Sequence, residues 1–291
     1  MKYYLQLMRP ANLVTAIADI LAGLSLVKFI FSTDTLSIQT IILLCIATLG
    51  LYGGGVVFND VFDADLDAIE RPERAIPSGK VSKQNATILG VSLLIIGIFC
   101  ASMVSFQSMI IAFCVAILAL VYDKFGKHHA FLGPINMGLC RGGNLLLGMS
   151  VIMSPLQELW WIGIIPVLYI AAITMISRGE VHGGNQSILY SAGFLYLIVS
   201  ISQLIMSYQF GNLFLTLPFV FLHIFLIFKP LIVAIQTPIG PNIGKAVKAG
   251  VLALIVMDAA WVSTSGNYRL AIGVLFLLPL SIRIAKMFAV T

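Results

Sequence analysis

Charge is what this sequence has least of. Lys, Arg, Asp and Glu make up 10% of 291 residues, while 59% are hydrophobic; a soluble domain carries about a quarter charged residues. With a mean hydropathy of +1.02, the composition excludes a water-soluble binding module. The 17 basic residues are dispersed over many short connections, so no stripe exists that could track phosphates, and nucleic acid is excluded as a partner. Cysteine is scarce as well. Cys45, Cys100, Cys114 and Cys140 each lie in an apolar run without CxxC spacing, which excludes a zinc ribbon or a dithiol centre and leaves small buried hydrophobes. No low-complexity tract or polar module interrupts the chain, so residues 1–291 read as a single domain.

Long apolar runs are present instead. They cover approximately residues 12–31, 38–58, 85–104, 107–122, 131–152, 159–177, 187–207, 211–228, 246–264 and 269–288, each of spanning length. The fold class is therefore all-α, a polytopic membrane bundle of nine or ten helices. Only short polar breaks at Ser105–Phe106 and Gln209–Asn212 divide two pairs of these runs. Lys2 and Arg9 before the first run superficially suggest a cleaved leader, but the run is long and contains Asp19, which points to a retained first helix. The stretch Lys229–Lys245, with Pro230, Pro238, Gly240, Pro241 and Gly244, reads as an extended linker.

Basic residues divide unequally between alternate connections. One set holds Lys2, Arg9, Arg71, Arg74, Lys80, Lys83, Lys124, Lys127, Arg178, Lys229, Lys245, Lys248, Arg283 and Lys286, and the other only Lys28 and Arg269. By the positive-inside rule this predicts ten helices with both termini and every polar motif on the cytoplasmic side.

Half of the twelve acids crowd into the fourteen residues Asp60–Glu73. If the second helix continues through them, Asp60, Asp63 and Asp67 share one stripe, with Asn59 one turn before Asp63 and Asp65 facing away. Like charges so close to a low-dielectric medium require a cation, and an oxygen-only donor set suits Mg²⁺, which completes its shell with water and substrate phosphates.

Asn59, Asp60, Asp63 and Asp67 spell NDxxDxxxD, and with Arg71–Gly79 (RPERAIPSG) and Arg9-Pro10 the sequence resembles the UbiA superfamily of intramembrane prenyltransferases. The resemblance implies Mg²⁺-dependent transfer of an isoprenoid from an allylic diphosphate to a hydrophobic, aromatic or secondary-metabolite acceptor, with membrane lipid as the surrounding partner. It also implies that Lys127, in Tyr122–Lys127, contacts the diphosphate. The family's second signature, DxxxD, corresponds here to Glu180 and Gly184, so one acid is missing and Arg178 and His182 stand beside the other. Arg178 is then a candidate diphosphate contact, and Glu180 and His182 are candidate catalytic groups toward the acceptor. Ser177–Gly183 and Cys140–Asn144 resemble the UbiA-like branch associated with bacterial Ebo gene clusters, EboC, which implies the inner membrane and admits the alternative of a non-catalytic carrier or flippase for a prenylated or lipid-like metabolite.

Arg141 sits inside an apolar run and needs a partner or a wet cavity. It is assigned to the diphosphate or an acidic acceptor, with Asn144 one turn on, and an ion pair to Asp19 or Asp258 is the alternative. Gly53–Gly55 read as close helix packing, His223 as a satisfied core histidine, and Trp160 and Trp161 as interfacial anchors.

Overall fold

The computed structural model describes residues 2–31, 37–127, 129, 132–180 and 183–288, and all their regular structure is helical. A short α1 (Lys2–Leu7) precedes α2 (Pro10–Phe31), α3 (Ile38–Phe62) and α4 (Ala64–Glu70). Then come α5 (Lys83–Ser102), α6 (Phe106–Val121), α7 (Leu132–Met149), α8 (Met153–Leu159) and α9 (Ile164–Ser177). The last five are α10 (Gln186–Gln209), α11 (Leu213–Gln236), α12 (Gly240–Thr264), α13 (Tyr268–Leu275) and α14 (Leu277–Phe288).

Among the described residues nine stretches are long and apolar enough to cross a membrane. The tenth leg is α7, whose 18 residues reach across the bundle but include Asn136, Arg141 and Asn144, which lower its hydropathy. Ten alternating legs return the C-terminus to the end where the chain began, and Ser281 of α14 donates to the Ala11 carbonyl of α2 at 3.0 Å. The opposite end is closed by Ser25–Ser265 (2.5 Å), Asn212 to the Thr264 carbonyl (2.9 Å) and Ser105 to the Ser150 carbonyl (3.1 Å).

Two apolar cores meet along α2 and α7. One gathers side chains of α9, α10, α11 and α12 around the fully buried Trp261; the other gathers α3, α5 and α6. Both draw on α2, through Val14, Ala18 and Ala22 on one side and Ile20 and Leu24 on the other. Large apolar residues on the outer faces of α5 and α6, such as Ile95, Phe99, Phe113 and Ile117, are exposed, as expected of surfaces solvated by lipid tails.

Small residues let these helices approach. A Cβ on Gly50 of α3 would stand 2.5 Å from the Leu93 carbonyl of α5, so a side chain there would force the pair apart. The same reason holds for Gly54, against Leu94 and Gly90; Gly53–Gly55 therefore pack, and α3 runs through them unbroken.

Two expectations change. The extended linker at Lys229–Lys245 is mostly helix: α11 continues through Pro230 to Gln236, α12 starts at Gly240 with Pro241 in its first turn, and only residues 237–239 connect them. Proline fits the first turn, where its missing N–H has no helical acceptor anyway, and packing of α11 along α12 tolerates the break at Pro230. His223 is fully buried, but neither ring nitrogen has a hydrogen-bond partner. It packs its ring against Tyr169, centroids 5.3 Å apart.

Candidate active site

The acidic signature sits where α3 ends. Asp63 closes α3 and opens α4 with backbone still near helical (φ −84, ψ −2), and the Asp67 N–H bonds back to the Asp63 carbonyl at 2.7 Å. The stripe thus survives the junction. Asp65, on the other face, is exposed and meets Lys83 at 3.3 Å.

Each acid of the stripe is held by a basic side chain brought from elsewhere. Asp60 accepts from Arg9 at 2.8 Å and Arg74 at 3.3 Å, Arg74 also binds Asp67 at 2.8 Å, and Lys127 pairs with Asp63. Arg9 takes a left-handed conformation (φ 47) between α1 and α2, which costs roughly 1–2 kcal/mol for a non-glycine residue. That turn delivers its guanidinium to Asp60. Arg74 comes from the Arg71–Gly79 stretch, which folds back between α4 and α5, with the Val81 N–H bonded to the Ala75 carbonyl at 3.0 Å.

Lys127 arrives by a different route. After Val121 the chain widens into a π-turn over Tyr122–Gly126, closed by the Lys127 N–H on the Tyr122 carbonyl at 2.9 Å. Such insertions re-aim side chains and recur at functional sites. This one places Asp123 against Asn59, whose Nδ2 donates to Asp123 Oδ1 at 3.0 Å. Asp123 is the site residue that sequence reasoning misses, because a single acid beside two lysines looks like ordinary flanking charge.

Below the signature lies a cavity of about 300 Å³. Arg9, Asn59, Tyr122 and Asp123 line its mouth, Leu51, Val115, Ile170, Ile173 and Leu254 its apolar wall, and Thr15, Thr48, Arg141 and Asn144 its polar floor. A second, more polar cavity of about 470 Å³ includes Arg9, Asp60, Arg71, Arg74 and Lys80 in its lining.

The floor is a sealed charge cluster. Arg141 places Nε 2.7 Å from Asp19 Oδ2, though not aligned as a hydrogen bond, donates from Nη1 and Nη2 to the Thr15 hydroxyl and carbonyl at 3.0 and 2.7 Å, and lies 3.9 Å from Asp258. Asn144 donates to Asp19 and the Ala16 carbonyl and accepts from Thr48. The ion pair offered as the alternative for Arg141 is therefore formed, while the residue still borders the cavity.

The region of the expected second signature lies apart. Glu180 is exposed, stands against Gly244 at the start of α12, and lines neither cavity; its partial burial raises its carboxyl pKa above the ordinary value. Arg178 donates to the His129 carbonyl at 3.3 Å, tying the connection after α9 to that after α6. His182 lies outside the described residues, as does His128.

The donor set at the signature is amide and carboxylate oxygen throughout, which suits a hard divalent cation. Among the described residues no three Asp, Glu, His or Cys side chains converge on one point. Mg²⁺ does not require that, since it is commonly bound by one or two carboxylates plus substrate phosphates and water. The residues fit the ion once their basic partners move aside.

Comparison with known proteins agrees with this arrangement. Residues 20–242 match the model of the UbiA prenyltransferase family. The digeranylgeranylglyceryl phosphate synthase of Saccharolobus solfataricus is 32% identical over 178 residues, 60% of either chain; that of Sulfurisphaera tokodaii is 24% identical over 78% of this chain and 86% of its own. The match thus spans about three fifths of the first relative's length. Among solved structures, one of a digeranylgeranylglyceryl phosphate synthase study superposes with a TM-score of 0.68 at 22% identity, covering 91% of this chain and 98% of its own. A UbiA homologue from Archaeoglobus fulgidus, bound to GPP and Mg²⁺, gives 0.64 at 17% identity, covering 87% and 99%. At such identities the superpositions establish the fold. Neither relative carries the name of the Ebo-associated branch. With 223 consecutive residues under the family model, from 20 to 242, this multi-pass membrane chain belongs to the UbiA prenyltransferase family.

Proposed function

We propose that the protein transfers an isoprenoid chain from an allylic diphosphate to a nucleophilic acceptor, with Asn59, Asp60, Asp63 and Asp67 holding Mg²⁺ and Arg9, Arg74 and Lys127 taking the diphosphate. One observation carries this reading: three basic side chains now pair with the signature acids, and Arg9 and Asn59 of this cluster line a largely apolar cavity. When a diphosphate enters, these cations exchange a carboxylate for phosphate oxygens and release the acids to the metal. Bound Mg²⁺ supplies charge neutralisation for the departing diphosphate. The protein's own contribution is to orient that leaving group, keep water from C1 and present the acceptor. The C1–O bond breaks with its electron pair on diphosphate, and the acceptor forms the new bond to C1.

Two likenesses suggest different acceptors. The relatives' name suggests a glyceryl phosphate lipid, and the Ebo-like stretches suggest an aromatic or secondary-metabolite acceptor. The neighbouring cavity with Arg71, Arg74 and Lys80 favours an acceptor with an anionic head group. Arg141 and Asn144 would then act on the acceptor only by shaping the cavity floor. We further infer one domain, with the basic-rich signature end and both termini facing the cytoplasm.

The test is a panel of allylic diphosphates offered to purified protein with and without Mg²⁺, read by mass spectrometry. Diphosphate release with a prenylated product is expected only with the metal and is lost in Asp63→Ala/Asp67→Ala. Transfer of an intact ligand between leaflets without diphosphate release would favour the carrier reading instead, which Gly184 in place of a second acid and the Ebo-like stretches motivate.

A further inference from the structure

Among the described residues one buried acid stands out by forming no ion pair. Asp60, Asp63 and Asp67 are paired at the signature, Asp65 meets Lys83, and Asp19 and Asp258 face Arg141. Glu70, Glu73, Glu158 and Glu180 are exposed. Asp123 is 4% exposed, and among the described residues no Lys or Arg side chain forms an ion pair with it. Its Oδ1 accepts the Asn59 amide, while Oδ2 is sealed from solvent and has no partner.

Such a carboxylate is costly. Leaving a buried charge uncompensated costs several kcal/mol, and at the mouth of a lipid-embedded cavity water cannot fully replace the missing partner. Lys127 lies only four residues on, yet pairs with Asp63. The Asn59–Asp123 bond uses the amide nitrogen and leaves the Asn59 carbonyl oxygen, a hard donor, uncommitted. Both residues border the same cavity, so the side chains of Asn59 on α3 and Asp123 on the π-turn after α6 stand bonded to each other across its lining.

We propose that Asp123 is a further ligand of the divalent cation, supplying from the α6 side the carboxylate pole that Glu180 and Gly184 do not provide at the cavity. The inference rests on the Mg-diphosphate reading of the signature. It assigns to the π-turn a double purpose: Lys127 meets the diphosphate, and Asp123 meets the metal that accompanies it.

The experiment measures Mn²⁺ bound to the full-length purified protein by electron paramagnetic resonance, with inorganic diphosphate present. Asp123→Asn keeps the shape and can still accept from Asn59, but it removes the charge; binding at least tenfold weaker than wild type is expected. Asp123→Cys adds a readout that a purely structural residue would not move. A thiolate ligand prefers a soft ion, so the ratio of Cd²⁺ to Mn²⁺ affinity should rise at least tenfold over wild type. If Asp123→Asn binds Mn²⁺ within twofold of wild type and Asp123→Cys leaves the ratio unchanged, Asp123 serves only to orient Asn59 and the proposal falls while the signature reading stands. If the wild-type protein binds no Mn²⁺ with diphosphate, both fall together. Should Asp123→Asn not fold, the Cys variant's metal preference decides alone.

Discussion

The molecule carries two acid–base clusters of similar composition and opposite character. At the mouth, Asp60, Asp63 and Asp67 pair with Arg9, Lys127 and Arg74, whose side chains are 39%, 12% and 22% exposed. Deeper, Asp19 and Asp258 face Arg141, with exposures of 0%, 0% and 5%. The first cluster can trade partners because water or a ligand reaches it. The second is locked, both Nη groups of Arg141 and the amide nitrogen of Asn144 being bonded to α2. Mouth charges are thus arranged for exchange and floor charges for holding α2, α7 and α12 in register, although both read in the sequence simply as polar residues among apolar ones.

The floor should break hardest. Arg141→Ala strands two buried acids, and removing one partner of a buried pair costs roughly 3–5 kcal/mol. Thermal unfolding in detergent should show that loss, with much of it recovered when Asp19→Asn and Asp258→Asn are added. Arg141→Lys should rescue little, because one ammonium cannot replace a guanidinium that reaches Asp19 and both Thr15 oxygens at once. An Arg141→Ala protein as stable as wild type would remove the distinction between the clusters.

At the mouth the expected effect is smaller and has two signs. Lys127→Ala frees Asp63 and takes a cation from the diphosphate. Calorimetry should then find Mg²⁺ alone bound more tightly than by wild type, while inorganic diphosphate with Mg²⁺ binds about tenfold more weakly, equal to about 1.4 kcal/mol. Unfolding should change by about 1 kcal/mol or less, as for other partly solvated pairs. Weakening of both ligands alike would mean that Lys127 merely supports the fold.

How much of this is legible in the amino-acid sequence follows from the range of each interaction. The helices and the signature stripe depend on local periodicity, so spacing alone puts Asp60, Asp63 and Asp67 on one face. The ion pairs join residues far apart in the chain: Arg9 to Asp60 spans 51 positions, and Arg141 to Thr15 spans 126. No local pattern encodes those. Asp19, Asp258 and Arg141 each stand out as needing a partner, but matching them requires α2, α7 and α12 to be packed. Asp123 escapes notice for the same reason, since its meaning lies in Asn59, 64 positions away. The prolines around Lys229–Lys245 mislead because proline's local preference yields to the tertiary packing of α11 on α12.

The smallest effect falls on Glu180, where sequence pattern and geometry diverge most. Its position invites a catalytic role, but an exposed side chain against Gly244, lining neither cavity, is badly placed to touch an acceptor. Glu180→Gln should therefore leave turnover within about twofold, since removing a working general base or acid costs about a hundredfold or more. A second readout is its pH dependence. Burial raises the folded-state pKa above the ordinary 4.5, so the folded protein holds this proton more tightly than the unfolded chain does. The resulting stabilisation is fully present below about pH 4.5 and is lost as pH rises through the raised value. Glutamine removes that slope, and stability measured across the mildly acidic range should become flatter without changing at neutral pH by more than exposed groups usually allow. A hundredfold loss of turnover in Glu180→Gln, with the fold intact, would show instead that the connection after α9 closes over the cavity during the reaction, and the mouth would then have a third wall.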